Sequence, residues 1–267
     1  MLHSALLNVM IKAARKAGRT LKRDFGEVEH LQVSLKGPAN FVTAADRKAE
    51  ETLRTELLAA RPGYGFLGEE GTNITGSDKT HTWIVDPLDG TTNFLHGIPH
   101  FAISIGLKRD DTVVAGLIYN PATEDLFVAE RGKGAFFSDQ RLRDQRMRVA
   151  ARRHLADAVV TCGLPHLGRG DLALGQRETG AVQQKVAGLR RFGSAALDLA
   201  WVGSGRFDGY WERNLQPWDL AAGIVIAREA GVIVTDLEGR EAMLERGEVL
   251  AANDTLHREL LKTLKAA

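Results

Sequence analysis

The hydrophobic period changes twice along the chain, and those changes restrict the fold more than any other feature. Leu6, Leu7, Met10, Ala13, Ala14, Ala17 and Leu21 recur at three- and four-residue spacing with Lys and Arg between them. That is the stripe of an amphipathic helix, and Gly26 marks its expected stop. A second helix is expected from near Thr43. Thr43 and Asp46 have the spacing of a capping box, although such a box normally closes with Glu or Gln. Ala45, Ala49, Leu53 and Leu57 form its stripe and Arg61-Pro62-Gly63 ends it. From Tyr64 to Phe137 the pattern is that of strands: Thr82 to Val85, Phe101 to Leu107, Val113 to Tyr119 and Asp125 to Ala129. Asp110-Asp111 and Asn120-Pro121 suit tight connections between them. After an arginine-rich stretch near residue 150, a strand-like run (Ala158 to Cys162) opens a third pattern. Helices (Ser194 to Val202, Trp218 to Ala230, Thr255 to Leu264) there alternate with short strands (Phe207 to Trp211, Val232 to Thr235, Glu248 to Ala252). Such alternation points to α/β layers. With no repeat and no long linker, we expect two closely packed halves, an α+β half over 1–150 and an α/β half over 151–267.

Composition narrows the function classes. The chain has 267 residues, 44% hydrophobic and 26% charged, so it can bury a core and is not a disordered segment. Lys and Arg number 35 against 34 Asp and Glu. That balance argues against a protein built mainly to hold nucleic acid or an anionic membrane, since both require surplus positive charge. Cys162 is the only cysteine, which excludes an internal disulfide and a thiolate zinc site and fits a reducing cytoplasm. No run approaches a membrane span of roughly 20 apolar residues. The stretch Ala5 to Ile11 runs into Lys12, Arg15 and Lys16 with no small-residue cleavage site after it, so it does not read as a signal sequence. A cytoplasmic protein is the expectation.

The densest chemistry lies in Trp83-Ile84-Val85-Asp86-Pro87-Leu88-Asp89-Gly90-Thr91-Thr92-Asn93-Phe94. An apolar strand is expected to be cut off at Asp86-Pro87, because proline has no N–H for the ladder. Two carboxylates three residues apart at a strand end can converge on one point. Gly90 permits close backbone approach, so the N–H groups of Gly90 and Thr91 can cradle a phosphate if a helix starts there. Carboxylates and phosphate repel unless cations lie between them, and oxygen-only ligands beside phosphate point to magnesium. Two further acidic features suit the same site: Gly68-Glu69-Glu70-Gly71 upstream, and Pro217-Trp218-Asp219 at the start of an apolar helix. Alone, the first would be a solvated loop pair and the second a helix cap.

These residues resemble the inositol monophosphatase family of magnesium-dependent, lithium-sensitive phosphatases. The resemblance runs from Lys36 and Phe41-Val42-Thr43-Ala44-Ala45-Asp46, through Gly68-Glu69-Glu70 and Asp86 to Asn93, to Gly193-Ser194-Ala195-Ala196 and Pro217-Trp218-Asp219. One departure is Asn40, where the family often has Asp. The resemblance implies a layered α-β-α-β-α sandwich and hydrolysis of a phosphate monoester, inositol monophosphate first, by metal-activated water. It implies two to three Mg²⁺ per site. Glu69, Asp86 and the Leu88 carbonyl would hold the first; Asp86, Asp89 and Asp219 would hold the second; Glu69 would support a weaker third. Asp46 and Thr91 would orient the attacking water, with Glu69 joining them as a catalytic residue. Asp89, Gly90, Thr91, Ser194, Ala195 and Glu212 would contact substrate, Glu212 by way of a polyol hydroxyl. A homodimer is implied as well.

Other readings are open. An aspartyl-phosphate enzyme needs Asp-x-Asp-Gly-Thr, but Pro87 stands two before Asp89; a P-loop is absent. Fructose-1,6-bisphosphatase and other sugar or polyol phosphatases would use the same metal site. Arg141, Arg143, Arg146, Arg148, Arg152 and Arg153 are opposed only by Asp144, a run suited to RNA or an acidic partner such as the transcription machinery, or simply to a solvated connection. Among the histidines near the motifs (His96, His100, His166), His96 is the one to expect behind the site.

Overall fold

The computed structural model describes residues 3–25, 27, 33–37, 40–141 and 144–267, of which 33–37 and 40–43 by backbone alone. Gly26 and Arg143 lie outside the described residues, as do the side chains of Lys36, Asn40 and Thr43. In chain order the elements are α1 (Ala5–Phe25), β1 (Val33–Gly37), β2 (Asn40–Thr43), α2 (Ala44–Ala60), β3 (Gly65–Gly68), β4 (Asn73–Ile74), β5 (His81–Asp89), α3 (Thr91–Leu95), β6 (Ala102–Arg109), β7 (Thr112–Asn120), β8 (Asp125–Glu130), β9 (Gly134–Ser138) and β10 (Gln145–Arg146). There follow β11 (Val159–Cys162), α4 (Leu172–Gln183), β12 (Gly188–Arg190), α5 (Ala195–Gly203), β13 (Gly209–Glu212), α6 (Pro217–Glu229), β14 (Ile233–Thr235), α7 (Met243–Arg246), β15 (Val249–Ala252) and α8 (Asp254–Lys265).

Two sheets carry the architecture. The larger runs β10-β9-β8-β7-β6-β5-β3-β4 and is antiparallel except for the β3–β5 pair. The smaller runs β12-β11-β13-β15-β14, with β11 parallel to both of its neighbours. Helices α1 and α2 cover one face of the large sheet, packing Leu7, Met10, Leu21, Leu53 and Leu57 on Trp83, Val85, Ile105 and Leu117. Helices α5 and α6 lie between the sheets. Ala196, Ala200, Ala222 and Ile226 face Ile118 and Phe127 of the large sheet, while Leu199, Leu220 and Ile224 face Tyr210, Val234 and Val249 of the small one. Helices α4 and α8 close the far side with Val182, Leu256, Leu260 and Leu264 against Val160, Trp211 and Leu250. The order of layers is α-β-α-β-α, as expected.

The central helix α6 is apolar all round because it is buried on both sides. Its approach to the large sheet is set by two glycines. A methyl at Gly106 would fall 2.7 Å from Ala221 Cβ, and one at Gly116 would fall 2.6 Å from the Ala222 carbonyl oxygen. Ser104 Oγ donates to the Trp218 carbonyl at 3.1 Å, fastening the first turn of α6 to β6. Gly116→Ala should therefore lower stability by about 1–3 kcal/mol, as overpacking does. Urea midpoints check this; an unchanged midpoint would mean the layers have slack.

One expectation needs correction. Strand β5 does not end at Asp86-Pro87 but continues to Asp89, with an irregular register: Asp86 pairs with Ser104 and Asp89 with Ala102. Three steps along β5 match two along β6, which is a β-bulge. Proline is tolerated there because a bulge interrupts the ladder. Side chains alternate faces along a regular strand, so residues three apart would point oppositely. The extra residue restores Asp89 to the face of Asp86, toward α5 and α6.

Candidate active site

The bulge brings the two β5 aspartates to the N-terminus of α6, where Asp219 stands. One carboxylate oxygen from each of Asp86, Asp89 and Asp219 lies within 4.8 Å of the other two. Each keeps one oxygen tied to the fold. Asp86 Oδ1 accepts from the Leu88 N–H at 2.9 Å. Asp89 Oδ2 accepts from Ser194 Oγ at 2.6 Å and the Ala196 N–H at 2.8 Å. Asp219 Oδ2 accepts from the Gln216 N–H at 2.7 Å, so it caps α6 and joins the cluster at once. The Glu69 carboxyl hydrogen-bonds Asp86, and the Glu69 N–H donates to the Val85 carbonyl at 3.2 Å.

Gly90, at φ 90°, turns the chain into the short α3; a side chain there would crowd the carbonyls of His100 and Gly193 at 3.0 and 3.3 Å. Thr91 Oγ1 donates toward the Leu88 carbonyl at 3.0 Å and lies 3.3 Å from Asp46 Oδ1. Asn93, buried, donates to the carbonyls of His100 (2.7 Å) and Phe192 (2.8 Å), tying the Gly90 turn to the loop before Ser194. Ser194 caps α5 and is also bonded to Asp89, with Ala195 beside it on the cavity wall.

A cavity of about 890 Å³ opens over these groups, lined by Glu69, Asp86, Leu88, Asp89, Asp219 and Glu212 among others. Asp46 lies beneath the wall, reached through Thr91. His96 is exposed and does not line the cavity, so the expectation placed on it fails. His100 is buried between Phe192 and Trp201, and burial pushes its imidazole down to about 4, so it is neutral. His166 does line the cavity, on the loop after β11.

The electrostatics identify what the site suits. Burial, then the charges of Glu69, Asp89 and Asp219, holds the Asp86 carboxyl well above the usual carboxylate range. Burial raises Asp89 to about 7 against the pull of its Ser194 and Ala196 bonds. Asp219 rises to about 7 through burial and the nearby Asp89. Among the described residues, no Lys or Arg pairs with Asp86 or Asp89, and Asp219 has only Arg169 at 3.9 Å. Buried carboxylates crowded this closely without a counter-charge fit a site completed by cations, and the oxygen-only donors suit hard divalent ones.

Some participants were not read from the sequence. Tyr210 donates to Glu212 Oε2 at 2.6 Å; the two are two apart on β13, and strand periodicity could have paired them. A side chain at Gly163 would occupy the place of the Glu212 carboxylate, a contact with no local signal. Arg169 approaches Asp219 from the loop after β11.

The geometry thus describes a class: a cleft for a phosphate ester, walled by carboxylates that call for divalent cations. The comparisons agree. A sequence model of the inositol monophosphatase family matches residues 3–267. The inositol-1-monophosphatase of Mesorhizobium japonicum is 57% identical over 99% of this chain and 98% of its own length. The crystal structure of extragenic suppressor protein suhB from Bartonella henselae superposes with a TM-score of 0.94 at 55% identity, over 98% of this chain and 99% of that one. More distant is the Nus factor SuhB of Pseudomonas aeruginosa, 38% identical over 97% of this chain and 96% of its own. The chain belongs to the inositol monophosphatase family, a metal-dependent family, and is a phosphoric monoester hydrolase. No helix among the described residues is long and apolar enough to cross a membrane.

Proposed function

We propose that this protein hydrolyses inositol monophosphate to inositol and phosphate, using two to three Mg²⁺ ions. The observation that carries the reading is the convergence of Asp86, Asp89 and Asp219 within 4.8 Å beside the Gly90 turn. Glu69, Asp86 and the Leu88 carbonyl would hold one ion; Asp86, Asp89 and Asp219 a second; Glu69 a third. When bound, such ions neutralise phosphoryl charge and acidify water.

The chain's own groups do the rest. When the Thr91 hydroxyl turns its hydrogen bond from the Leu88 carbonyl to Asp46 Oδ1, its oxygen lone pairs are left to accept from a water and aim it. The N–H groups of Gly90 and Thr91, at the turn into α3, would donate to the phosphoryl oxygens. Ser194, capping α5, holds Asp89 in place, and the backbone at Ala195 meets the polyol. The Tyr210 hydroxyl restrains one Glu212 oxygen, leaving the other to accept from a substrate hydroxyl. In this reading residues 1–150 supply Glu69, Asp86 and Asp89, and residues 151–267 supply Asp219, Ser194 and Glu212. The working form is a cytoplasmic homodimer, which light scattering tests for assembly.

Phosphate release from a panel of phosphomonoesters with Mg²⁺ tests the substrate. Preference for fructose 1,6-bisphosphate over inositol phosphate would overturn the assignment. Glu212→Gln should lower kcat/KM for inositol phosphate about 10-fold, the worth of a charged hydrogen bond. An aryl phosphate should lose far less, and the Mg²⁺ requirement should not move. Equal losses on both substrates would place Glu212 in the catalytic centre instead. The arginine-rich stretch is exposed at Arg141, Arg146, Arg148 and Arg153, whereas Arg152 is bound to Asp208 at 3.0 Å. Because the phosphatase-named relative is much more similar than the Nus factor, catalysis is the reading we favour.

A further inference from the structure

We propose that Glu50, on α2, is a positioning residue for Glu69: it fixes the loop after β3 and so sets the affinity for divalent cation without touching the ion. The proposal rests on Glu69 being a cation ligand. Glu50 is buried, at 3% exposure, and it is absent from the cavity wall. Its Oε2 accepts from the Glu70 N–H at 2.8 Å, and its Oε1 accepts from the Thr72 hydroxyl at 2.5 Å. Among the described residues, no Lys or Arg pairs with it. A buried carboxylate without a cation is costly unless hydrogen-bonded, and here each oxygen is bonded to the one loop that carries Glu69.

The loop is also tied through its backbone. The Gly68 N–H donates to the Thr72 carbonyl at 2.8 Å and the Glu69 N–H to the Val85 carbonyl at 3.2 Å. Gly68 is the residue that admits Glu50: a methyl there would lie 2.6 Å from Glu50 Cδ. Glu69 is thus held between β5 on one side, through Val85, and Glu50 on the other, through Glu70 and Thr72. Loosening the Glu50 side frees the Glu69 carboxylate from Asp86 and removes its preorganisation. Partners in this outer position ordinarily account for about 10–100-fold in metal affinity.

The test is calorimetric titration of Mg²⁺ into the cation-stripped protein, with circular dichroism to verify folding. Glu50→Ala should weaken binding about 10-fold. Thr72→Val, at a partly exposed site, should weaken it about 2- to 3-fold, the worth of one hydrogen bond. Glu50→Gln should bind like wild type, because its amide oxygen can accept from Glu70 N–H and its NH₂ can donate to Thr72 Oγ1. If Glu50→Gln binds as poorly as Glu50→Ala, charge rather than position is at work and the proposal is wrong. Wild-type affinity in Thr72→Val would also overturn it, even if Glu50→Ala does not fold. Glu69→Gln separates the two readings. A weakened Glu69→Gln beside an unaffected Glu50→Ala overturns the positioning role alone, whereas wild-type binding in Glu69→Gln overturns Glu69 as a ligand.

Discussion

Asp86→Asn should reduce turnover by at least about 10³-fold, on the order of 4 kcal/mol, while leaving the fold intact. Asp86 is the aspartate whose charge is felt with Glu69, Asp89 and Asp219 together, and in our reading it serves two cations. The same change should raise the melting temperature of the cation-free protein. An amide keeps the shape and accepts the Leu88 N–H as before, but removes the charge that burial and three neighbouring acids oppose. Phosphate release at saturating Mg²⁺ and a thermal melt in chelator check the two halves. Near wild-type turnover would remove Asp86 from the site; a lower melting temperature in chelator would contradict the electrostatic account.

Stripped of cations, the wild-type protein should lose stability as the pH rises from about 4 to about 7. Asp89 and Asp219 move from an ordinary 3.8 to about 7 on folding, and Glu212 from 4.5 to about 7, burial being the first cause for each. Between those limits the folded state binds more protons than the unfolded one, so the derivative of stability with pH is negative. Their contribution is whole below about pH 4 and gone above about pH 7. Each excess proton is worth about 1.4 kcal/mol per pH unit. Cation binding demands the deprotonated carboxylates, so Mg²⁺ should stabilise the protein more at about pH 8 than at about pH 5. Melting temperatures across that range, in chelator and in excess Mg²⁺, measure it. A chelated protein that grows more stable with rising pH would contradict the sign.

Much of this was legible because the relevant signals are local. The α1 stripe, the strand runs of the large sheet, and the Asp86–Asn93 segment are each specified by neighbours in sequence. Pro87 reads as a strand end in sequence because a proline that ends a strand and one that sits in a bulge look alike until the partner strand is known; the decisive fact, Ser104 and Ala102 opposite, lies in β6. Helix α4 was not anticipated, since Gly175 and Gly180 dilute its stripe, although Asp171 does cap it. Glu50 reads as one more acid on an amphipathic helix. Only tertiary packing, with Gly68 standing aside, makes it a buried acceptor. Glu212 came from family resemblance, but its restraint by Tyr210 follows from the two-residue period of β13.

The bulge in β5 also bears on how such a site can change over generations. A substitution within the extra turn of chain leaves the count of residues between Asp86 and Asp89 untouched. A single deletion there would restore regular pairing with β6 and leave the two carboxylates two apart, still on one face. What it would take away is the extra residue itself, and with it the step of backbone that presents the Leu88 carbonyl to Thr91 Oγ1. The added residue thus sets a backbone oxygen between two acids that would face one way without it. A change of side chain at that position keeps the oxygen, whereas a lost codon removes it.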